Sequence, residues 1–488
     1  MNRAMKISVA VFAAALLAIT AYTLTLRSPA PRPTAFSHCD EFPPTSRVEE
    51  TMVSHSQYIE QLQSTSIGAE VTLIHPCDNP ARALMGIFVP SADTVDSVED
   101  MLTSLPDLKA VSAILLGAPP ATEDETEAEE SEMTSPVQPA YEWRGIMIDV
   151  TRNFLGVDDV MSLMDLAQSV GLNRFHMHLS DDQGWRLEIP GWPELIERSS
   201  STSVRGANSG YYTVSDWRQL QRAAHSRGLL LVPEIDLPGH TNAALHAIEG
   251  LNVDGVRPAP YTGMEVGFSS LRIDAPETER FLREVLSHVA RESDGYVHIG
   301  GDEAHATSKD EYSAIVTMAV DAVHEAGAKV IAWQEAAPLL GEGDLVQLWD
   351  DRQDFSAIAE AATRGVGVIL SPASYVYFDM KYSDEEELGL TWNRRIELQD
   401  TAAWDPLAEL GDIPADAVVG VEGALWAETL RSRADYEYML LPRIAALGEI
   451  ATRGSIDWDE FAAGLPELAR SWDERGWNWH RSPGVEWE

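Results

Sequence analysis

Between residues 144 and 450, short apolar runs rich in β-branched residues alternate with longer segments in which apolar residues recur at helical spacing. This alternation is typical of βα units, in which a buried parallel strand is followed by an amphipathic helix. The predicted strands are Gly145–Val150, Asn173–Leu179, Leu229–Ile235, Tyr296–Ile299, Lys329–Trp333, Leu345–Trp349, Val366–Leu370 and Val418–Val421. The predicted helices between them are Val157–Val170, Ser215–Arg227, Pro276–Arg291, Lys309–Ala326 and Phe355–Arg364. Eight such strands favour a closed (β/α)8 TIM barrel over an open sheet, so the predicted fold class is α/β.

The pattern changes on both sides of this barrel. Asp435–Ile450 is predicted as the last barrel helix, and Asp457–Trp472 as a terminal helix. Residues 38–118 mix helical and β-like patterns, which predicts a small α+β domain. The acidic, proline-containing stretch after them is typical of a solvated linker. We therefore expect the small domain, a linker at 119–140, the barrel at 141–455, and a C-terminal helix and tail at 456–488 packed on the barrel.

The first 33 residues differ from everything after them. Arg3 and Lys6 precede an apolar run from Ile7 to Leu26, and a proline-rich polar exit follows. A run of about 20 apolar residues is long enough to span a bilayer, and positive charge before it is typical of an export signal. We predict a signal peptide or an uncleaved signal anchor at residues 1–33. The protein is therefore expected to be exported, whether periplasmic, membrane-anchored or secreted.

Charge and cysteine content limit the partners and the compartment. The formal net charge is −43 over 488 residues, and such a field argues against nucleic acid and anionic membrane surfaces as partners. The acidic surface fits either a salty medium, which screens self-repulsion, or a generally acidic proteome. Cys39 and Cys77 are the only cysteines. They could pair in an oxidising compartment or be two free buried thiols.

Carboxylate, histidine and aromatic residues follow the predicted strands, at the barrel end where active sites form. The segment His298–Glu303 ends a strand in two glycines and presents Asp302 and Glu303 side by side. Two carboxyl groups this close do not ionise independently, which favours one protonated acid and one charged group, as in glycoside chemistry. The other strand ends contribute Arg152, Asp181, Asp182, Asp236, His240, Trp333, Trp349, Tyr377, Asp379, Trp426 and Glu428.

Two sets of these residues each admit two interpretations. Four tryptophans lie among or near the carboxylates: Trp333, Trp349, Trp392 and Trp426. They could be ordinary core residues, but their placement favours walls for a sugar, whose apolar ring faces stack on aromatic rings. Asp181 and His240 could form a structural hydrogen-bonded pair. With Glu303 they could instead form a relay that tunes the proton affinity of the acid.

Six motifs stand in order at the strand ends. They are Arg144–Phe154 (RGIMIDVTRNF), His178–Arg186 (HLSDDQGWR), Val232–Thr241 (VPEIDLPGHT), His298–Glu303 (HIGGDE), Ser371–Tyr382 (SPASYVYFDMKY) and Gly423–Glu428 (GALWAE). Together they resemble the β-N-acetylhexosaminidases of glycoside hydrolase family 20, over about residues 140 to 455. The resemblance implies an exo-acting enzyme that removes terminal, non-reducing, β-linked N-acetylglucosamine or N-acetylgalactosamine.

The same resemblance implies the roles of the reacting groups. Glu303 would be the general acid that protonates the glycosidic oxygen, and later the base that activates water. The substrate's own 2-acetamido carbonyl, rather than a protein nucleophile, would attack the anomeric carbon with net retention. Asp302 would bind the acetamido N–H and stabilise its developing positive charge, and Tyr377 would donate to the acetamido oxygen. Asp181 and His240 would support Glu303.

Other residues of the matching motifs would hold the sugar. Walls around the acetamido methyl group and the ring would be formed by Trp333, Trp349 and Trp426. The outer hydroxyls of the terminal sugar would be held by Arg152, Asp379 and Glu428. Trp392 would flank the next sugar. The implied partner is a carbohydrate with a terminal N-acetylhexosamine, such as a chito-oligosaccharide or a glycan, and no cofactor or metal is implied.

Two rival functions come from other classes. A metal-dependent barrel hydrolase could take its ligands from His176, His178, His240, Asp302 and His305. Histidines at alternate strand positions share a face, as ligands should, but the competing interpretation is that both point into the barrel core or its rim. A catalytically inactive sugar-binding protein would lose the acid, whereas this chain keeps Glu303. The gluco or galacto preference, the natural polymer and the oligomeric state stay open.

Overall fold

A computed structural model describes residues 139–408 and 410–487, and its strands form a closed barrel. The strands are β1 (Trp143–Asp149), β2 (Arg174–His178), β3 (Ser180–Asp181), β4 (Gly184–Trp185), β5 (Leu230–Glu234), β6 (Tyr296–His298), β7 (Lys329–Trp333), β8 (Leu345–Leu348), β9 (Gly367–Leu370) and β10 (Val418–Leu425). The barrel order is β1, β10, β9, β8, β7, β6, β5, β2, with all neighbours parallel and β2 paired with β1. Only β3 and β4 lie outside it, as a short antiparallel pair. The predicted eight-stranded barrel is confirmed.

Helices surround the barrel. They are α1 (Val157–Ser169), α2 (Glu194–Ser199), α3 (Val214–Ser226), α4 (Asn242–Ala247), α5 (Thr278–Arg291), α6 (Lys309–Glu325), α7 (Ser356–Thr363), α8 (Ala373–Val376), α9 (Leu398–Ala402), α10 (Arg433–Leu440), α11 (Arg443–Arg453) and α12 (Trp458–Arg475). Their apolar stripes face the strands: α5, for example, buries Phe281, Val285 and Val289 at a spacing of four residues. Short 3-10 turns occur at Val204–Gly206, Glu249–Leu251, Gln334–Leu339 and Ala415–Ala417.

The prediction of one continuous helix over Asp435–Ile450 is wrong, because the chain breaks between α10 and α11. Pro442 stands at the break and precedes the first residue of α11. Proline has no N–H to continue the helical ladder, and its ring clashes with the preceding turn. The carbonyl groups released at the break are hydrogen-bonded elsewhere: the Tyr382 hydroxyl lies 3.0 Å from the oxygens of Tyr438 and Leu441.

The barrel interior is layered. An apolar cluster lies towards the amino ends of the strands and contains Trp143, Val232, Ile331, Leu345 and Ile369. The next inward-facing side chains are polar, and none is more than 1% exposed: His176, Glu234, His298, Gln347 and Glu422. Since side chains alternate along a strand, the residue two positions after a member of this apolar cluster also points inward. Glu234 follows Val232, and Gln347 follows Leu345, in this way. The polar layer therefore lies directly beneath the carboxyl ends of the strands.

The C-terminal segment packs on the barrel. Helix α12 buries Leu465, Ala469 and Trp472 in the main hydrophobic core. In the tail, the His480 N–H donates to the Leu441 oxygen at 3.0 Å. Predictions made for residues 1–138 concern the signal segment, the small domain, most of the linker, Cys39 and Cys77, and all of these lie outside the described residues. Within 139–408 and 410–487, no helix has the length and apolarity needed to cross a membrane.

Candidate active site

A tight turn after β6 presents the two adjacent acids. Gly300 and Gly301 have φ of 69° and 107°, and Glu303 itself has φ of 47°. A Cβ on Gly300 would lie 1.6 Å from an Asp236 carboxylate oxygen, so glycine is required both for the backbone angle and for the space. The turn leaves Asp302 buried, at 7% exposed, while the Glu303 side chain is 29% exposed. A left-handed glutamate is costly, and such strain is found mainly where function demands it.

His240 lies beneath both acids. Its Nε2 is 3.5 Å from Asp302 Oδ2 and 3.5 Å from Glu303 Oε2. Its Nδ1 lies 3.2 Å from Asp181 Oδ1, so the imidazole connects a buried aspartate to the acid pair. The His240 backbone is also left-handed, with φ of 54°. The structure thus brings Asp181, His240, Asp302 and Glu303 together in a single chain of contacts.

Burial and neighbouring charges determine which of these side chains carry a proton. Burial alone would lower the pKa of His240, but the carboxylates of Asp181 and Asp302 raise it well above its ordinary value. Burial likewise favours the neutral form of Asp181, yet Arg152 and His240 hold its pKa well below the usual range. Burial raises the pKa of Asp302, the His240 charge lowers it and the Glu303 charge raises it, and the net result is a pKa of about 6. At neutral pH, Asp302 is therefore a carboxylate above an imidazolium.

Arg152 is fixed at the closed end of the site by the loop that follows β1. The Asp149 carboxylate accepts from the backbone N–H groups of Arg152 at 3.2 Å and Ala427 at 3.0 Å, which ties the loops after β1 and β10 together. The Arg152 guanidinium lies 2.8 Å from Asp181 Oδ2 and 3.9 Å from Glu428 Oε1. Its planar group also stacks 4.7 Å from the Trp426 ring centroid.

Five aromatic rings, each in contact with the next, form one wall of the pocket. Trp426 lies 6.1 Å from Trp333 and 6.4 Å from Tyr377, measured between ring centroids. Tyr377 stacks nearly parallel to Trp349 at 6.3 Å, and Trp392 meets both of these rings edge-on at 5.9 and 6.2 Å. Trp333 is 1% exposed, whereas Trp392 is 43% exposed and forms the rim. Burial, Asp302 and Asp379 raise the pKa of Tyr377 well above its ordinary value, so its hydroxyl is a donor.

Two carboxylates of this group have buried oxygens that lack a hydrogen-bond partner. Among the described residues, Asp302 Oδ1 and Glu428 Oε2 have no hydrogen-bond partner. Burial raises the pKa of Glu428, and burial together with Glu428 raises that of Asp379 well above the ordinary value. Buried polar atoms are normally satisfied, so these atoms indicate a ligand that supplies donors. Sugar hydroxyl and acetamido N–H groups are such donors.

Contacts and charge interactions join all twelve residues predicted from the sequence into one group: Arg152, Asp181, His240, Asp302, Glu303, Trp333, Trp349, Tyr377, Asp379, Trp392, Trp426 and Glu428. Sequence reasoning missed residues that support them. Glu335 accepts from Trp349 Nε1 at 3.2 Å, and burial with the Asp302 charge raises the pKa of Glu335 to about 8. Tyr312 donates to the Gly301 oxygen at 2.7 Å and holds the acid turn. A carboxyl two residues after a strand-end tryptophan was an available signal for Glu335.

Three histidines of the metal hypothesis, His176, His178 and His240, lie close to carboxylates. In the described part of the chain, four groups place donor atoms within 4.8 Å of one another: His176, Glu234 and His298; His178, Asp181 and Asp236; Asp181, Asp182 and His240; Asp236, His240 and Asp302. The first two contain the H-x-H pair, and its nitrogens lie 2.6 to 3.1 Å from carboxylate oxygens. Three of these four contacts are hydrogen-bonded pairs: His176 Nδ1 with Glu422, and His178 Nδ1 and Nε2 with Glu234 and Asp181. His305 is exposed and belongs to none of the four groups.

Comparison with known proteins identifies the family. The catalytic-domain model of glycosyl hydrolase family 20 matches residues 141–454. The chain belongs to this family. A relative within it, the beta-N-acetylhexosaminidase of Cellulomonas fimi, is 44% identical over 353 residues, which cover 72% of this chain and 71% of that protein. The beta-hexosaminidase of Porphyromonas gingivalis is 32% identical over 378 residues, which cover 70% of this chain and 47% of that longer protein.

Solved family 20 structures share the barrel. The N-acetyl-beta-hexosaminidase of Streptomyces plicatus, in complex with Thio-NAglucal, superposes with a TM-score of 0.70 at 44% identity and 72% coverage of each chain. A mutant of that enzyme in complex with its product GlcNAc gives the same TM-score at 43% identity. The GH20 beta-N-acetylhexosaminidase of Streptomyces coelicolor A3(2) also gives 0.70, at 42% identity. The resemblance stated from six motifs is therefore confirmed.

Proposed function

We propose that this protein is an exo-acting β-N-acetylhexosaminidase that hydrolyses terminal, non-reducing, β-linked N-acetylglucosamine or N-acetylgalactosamine with retention. The observation that carries the proposal is the series of side-chain contacts from Asp181 through His240 to the adjacent acids Asp302 and Glu303, which lie beside a wall of aromatic rings. A partly exposed acid beside a buried carboxylate matches substrate-assisted hydrolysis, in which the acetamido group replaces a protein nucleophile.

The two acids have different surroundings, and this supports different roles. Glu303 borders a cavity of about 610 Å³, lined also by Tyr312, Glu335, Trp349 and Arg352, which gives the leaving group a path outward. There it protonates the glycosidic oxygen and then activates water. Asp302 faces inward with one oxygen free to accept the acetamido N–H. Its charge stabilises the positive ring formed when the acetamido oxygen attacks the anomeric carbon.

Exo action is supported by the closed end of the pocket. Arg152 and Glu428 are joined there by an ion pair, with Asp379 alongside, and Arg152 and Asp379 are at most 3% exposed. A single terminal sugar fits against such a wall, and its hydroxyls match these polar groups. Chito-oligosaccharides and glycan ends are the substrates we propose. Release of monosaccharide only, from labelled non-reducing ends, supports exo action, and early internal cleavage products contradict it.

Glu303→Gln tests the acid. Hydrolysis of an aryl N-acetylglucosaminide is expected to disappear, while N-acetylglucosamine still binds in calorimetry, because the amide keeps the shape but has no acidic proton to give. Glu325→Gln, at the far end of α6 with a side chain 68% exposed, is the matched control and should keep full activity. Unchanged turnover in Glu303→Gln contradicts the proposal. Loss of turnover in both variants means that the assay reports folding rather than chemistry.

The acetamido requirement is tested with two substrates of the same leaving group. An aryl glucoside, which lacks the acetamido group, should react more slowly than the aryl N-acetylglucosaminide by on the order of 10³-fold or more, because the intramolecular attack is lost. Comparable rates exclude substrate assistance. The aryl N-acetylgalactosaminide, measured alongside, gives the gluco or galacto preference.

We also propose that the protein is exported through its N-terminal segment. The support is the pair Arg3 and Lys6 before the apolar run Ile7–Leu26. Fractionation of the producing cells, with N-terminal sequencing of the purified protein, tests this. A mature chain starting near residue 30 in the medium or periplasm indicates a cleaved signal, and an intact chain in the membrane indicates an anchor. An intact chain in the cytoplasm contradicts export.

A further inference from the structure

We propose that Glu234 is a positioning residue that holds both the tryptophan wall of the sugar pocket and the relay beneath Glu303. The inference rests on the proposed function. Glu234 is the last residue of β5, is 0% exposed, and lies in register with His178 on β2 and His298 on β6. Three neighbouring strands thus bring a carboxylate and two imidazoles to one level inside the barrel, directly beneath the pocket.

The Glu234 carboxylate is surrounded by nitrogen atoms. Its Oε1 accepts from Trp333 Nε1 at 3.0 Å, and His298 Nδ1 lies 3.0 Å from the same oxygen. Its Oε2 lies 2.6 Å from His178 Nδ1 and 3.1 Å from His176 Nε2. Burial would raise the pKa of Glu234, but these imidazoles hold it well below the ordinary value. The group is therefore a buried carboxylate with both oxygens in use.

One contact of Glu234 fixes a wall of the pocket. The indole N–H of Trp333 can only donate, and Glu234 is its hydrogen-bond acceptor. Trp333 lies 6.1 Å from Trp426, and in the family resemblance both rings enclose the acetamido group. The Trp333 ring also packs against His298 at 4.9 Å, and Glu234 adds the one hydrogen bond that fixes the direction of its N–H, and with it the wall against which the acetamido group lies.

The other contact leads to the acid. His178 stands between two carboxylates, with Nδ1 2.6 Å from Glu234 and Nε2 2.7 Å from Asp181. Bridging two carboxylates requires a proton on both nitrogens, and these charges raise the pKa of His178 well above its ordinary value despite the opposing effect of burial. Asp181 in turn contacts His240, which reaches Glu303. Glu234 thus acts on the acid through three intermediate side chains.

Glu422 provides a matched control. It is equally buried and also accepts from an indole, Trp143 Nε1, at 2.7 Å, and it lies 2.9 Å from His176 Nδ1. Trp143, however, belongs to the apolar cluster at the amino end of the barrel. A glutamine at either position replaces one buried carboxyl group of the same interior layer by an amide, and of the two only Glu234 contacts a wall of the pocket directly.

Glu234→Gln is the test. Glutamine offers one acceptor oxygen to two donors, Trp333 and His178, so one contact or the charge on His178 is lost. We expect kcat on an aryl N-acetylglucosaminide to fall on the order of 10²-fold, as for displaced reacting groups, while KM changes less than about threefold. The loss should be larger for N,N'-diacetylchitobiose than for a dinitrophenyl N-acetylglucosaminide, because the poorer leaving group needs the acid more. Glu422→Gln should keep kcat within about threefold.

The outcomes separate positioning from stability. Equal losses of kcat in both variants, in step with equal losses in melting temperature, overturn the proposal, as does an unchanged kcat in Glu234→Gln. Glu234→Asp keeps the charge beside His178 at shorter reach and should retain more activity than Glu234→Gln, so the reverse order is also contrary. An inactive wild-type protein refutes the proposed function instead. In that case, equal affinity of Glu234→Gln and Glu422→Gln for a thiazoline mimic of the cyclised acetamido group overturns the role at Trp333.

Discussion

The charge on His240 controls the pH at which Asp302 becomes ionised, and His240→Gln tests this directly. The catalytic role proposed for Asp302 needs its charged form, and its pKa of about 6 places the acid limb of kcat/KM near that pH. Activity is present above this value and is lost as the pH falls through it. Glutamine keeps a polar side chain of similar reach but removes the positive charge 3.5 Å from the Asp302 carboxylate.

The size of the shift follows from that distance. Coulomb's law over 3.5 Å gives about 5 kcal/mol at an effective dielectric constant of ~20 and about 1 kcal/mol at that of bulk water. Since each pH unit corresponds to ~1.4 kcal/mol, the acid limb should move upward by about 1 to 3 units, to about pH 7 or above. The sign is fixed because removing a cation always favours the neutral carboxyl group.

The assay is kcat/KM for an aryl N-acetylglucosaminide between pH 4 and 9, since the position of the limb is independent of how far the maximum rate falls. His225→Gln is the control: His225 also pairs with a carboxylate, Asp294, at 2.8 Å, but its side chain is 55% exposed, on the outer helix α3. Its limb should stay in place. A limb that stays still or moves to lower pH in His240→Gln would refute the assignment of an imidazolium beneath Asp302.

Three further outcomes are expected. Tyr377→Phe should lower kcat on the order of 10²-fold, because it removes the donor to the acetamido oxygen. Tyr296→Phe, at the opposite end of the barrel, should leave kcat unchanged. Equal rates in the two variants contradict the role of Tyr377. Arg443→Met should lower the free energy of unfolding in urea by at least about 3 kcal/mol, because the buried guanidinium donates to four backbone oxygens, while Arg280→Met, at an exposed position, should leave it nearly unchanged. Prolonged chelation should leave kcat unchanged, and a loss restored by a divalent metal favours the metal-dependent alternative.

Much of the fold could be read from the sequence because barrel strands and helices carry local signals. Each of the eight predicted strands overlaps an observed one. A parallel strand is buried on both faces, so it stands out in the sequence as a short, continuous apolar run. The break at Pro442 was missed because the apolar spacing continues across it. That spacing records which face is buried, and it does not record whether the ladder of hydrogen bonds is intact.

The candidate site divides in the same way. The residues proposed to face the substrate follow the strand ends, so the order of the βα units was enough to identify them. The adjacent pair Asp302 and Glu303 already indicated acid chemistry. The sequence also indicated the class of ligand, because tryptophans recur beside those carboxylates.

Tertiary structure decided which partners complete the chemistry. Glu234 and Trp333 are 99 residues apart, and their hydrogen bond exists only because closure of the barrel brings β5 and β7 to one interior layer. The pairing of β2 with β5 places His178 opposite Glu234, 56 residues away, and the same imidazole also contacts Asp181. A charged residue inside a strand signals only a buried polar group. Its partner is chosen by strand register and barrel closure, which are properties of the assembled sheet and not of any one segment.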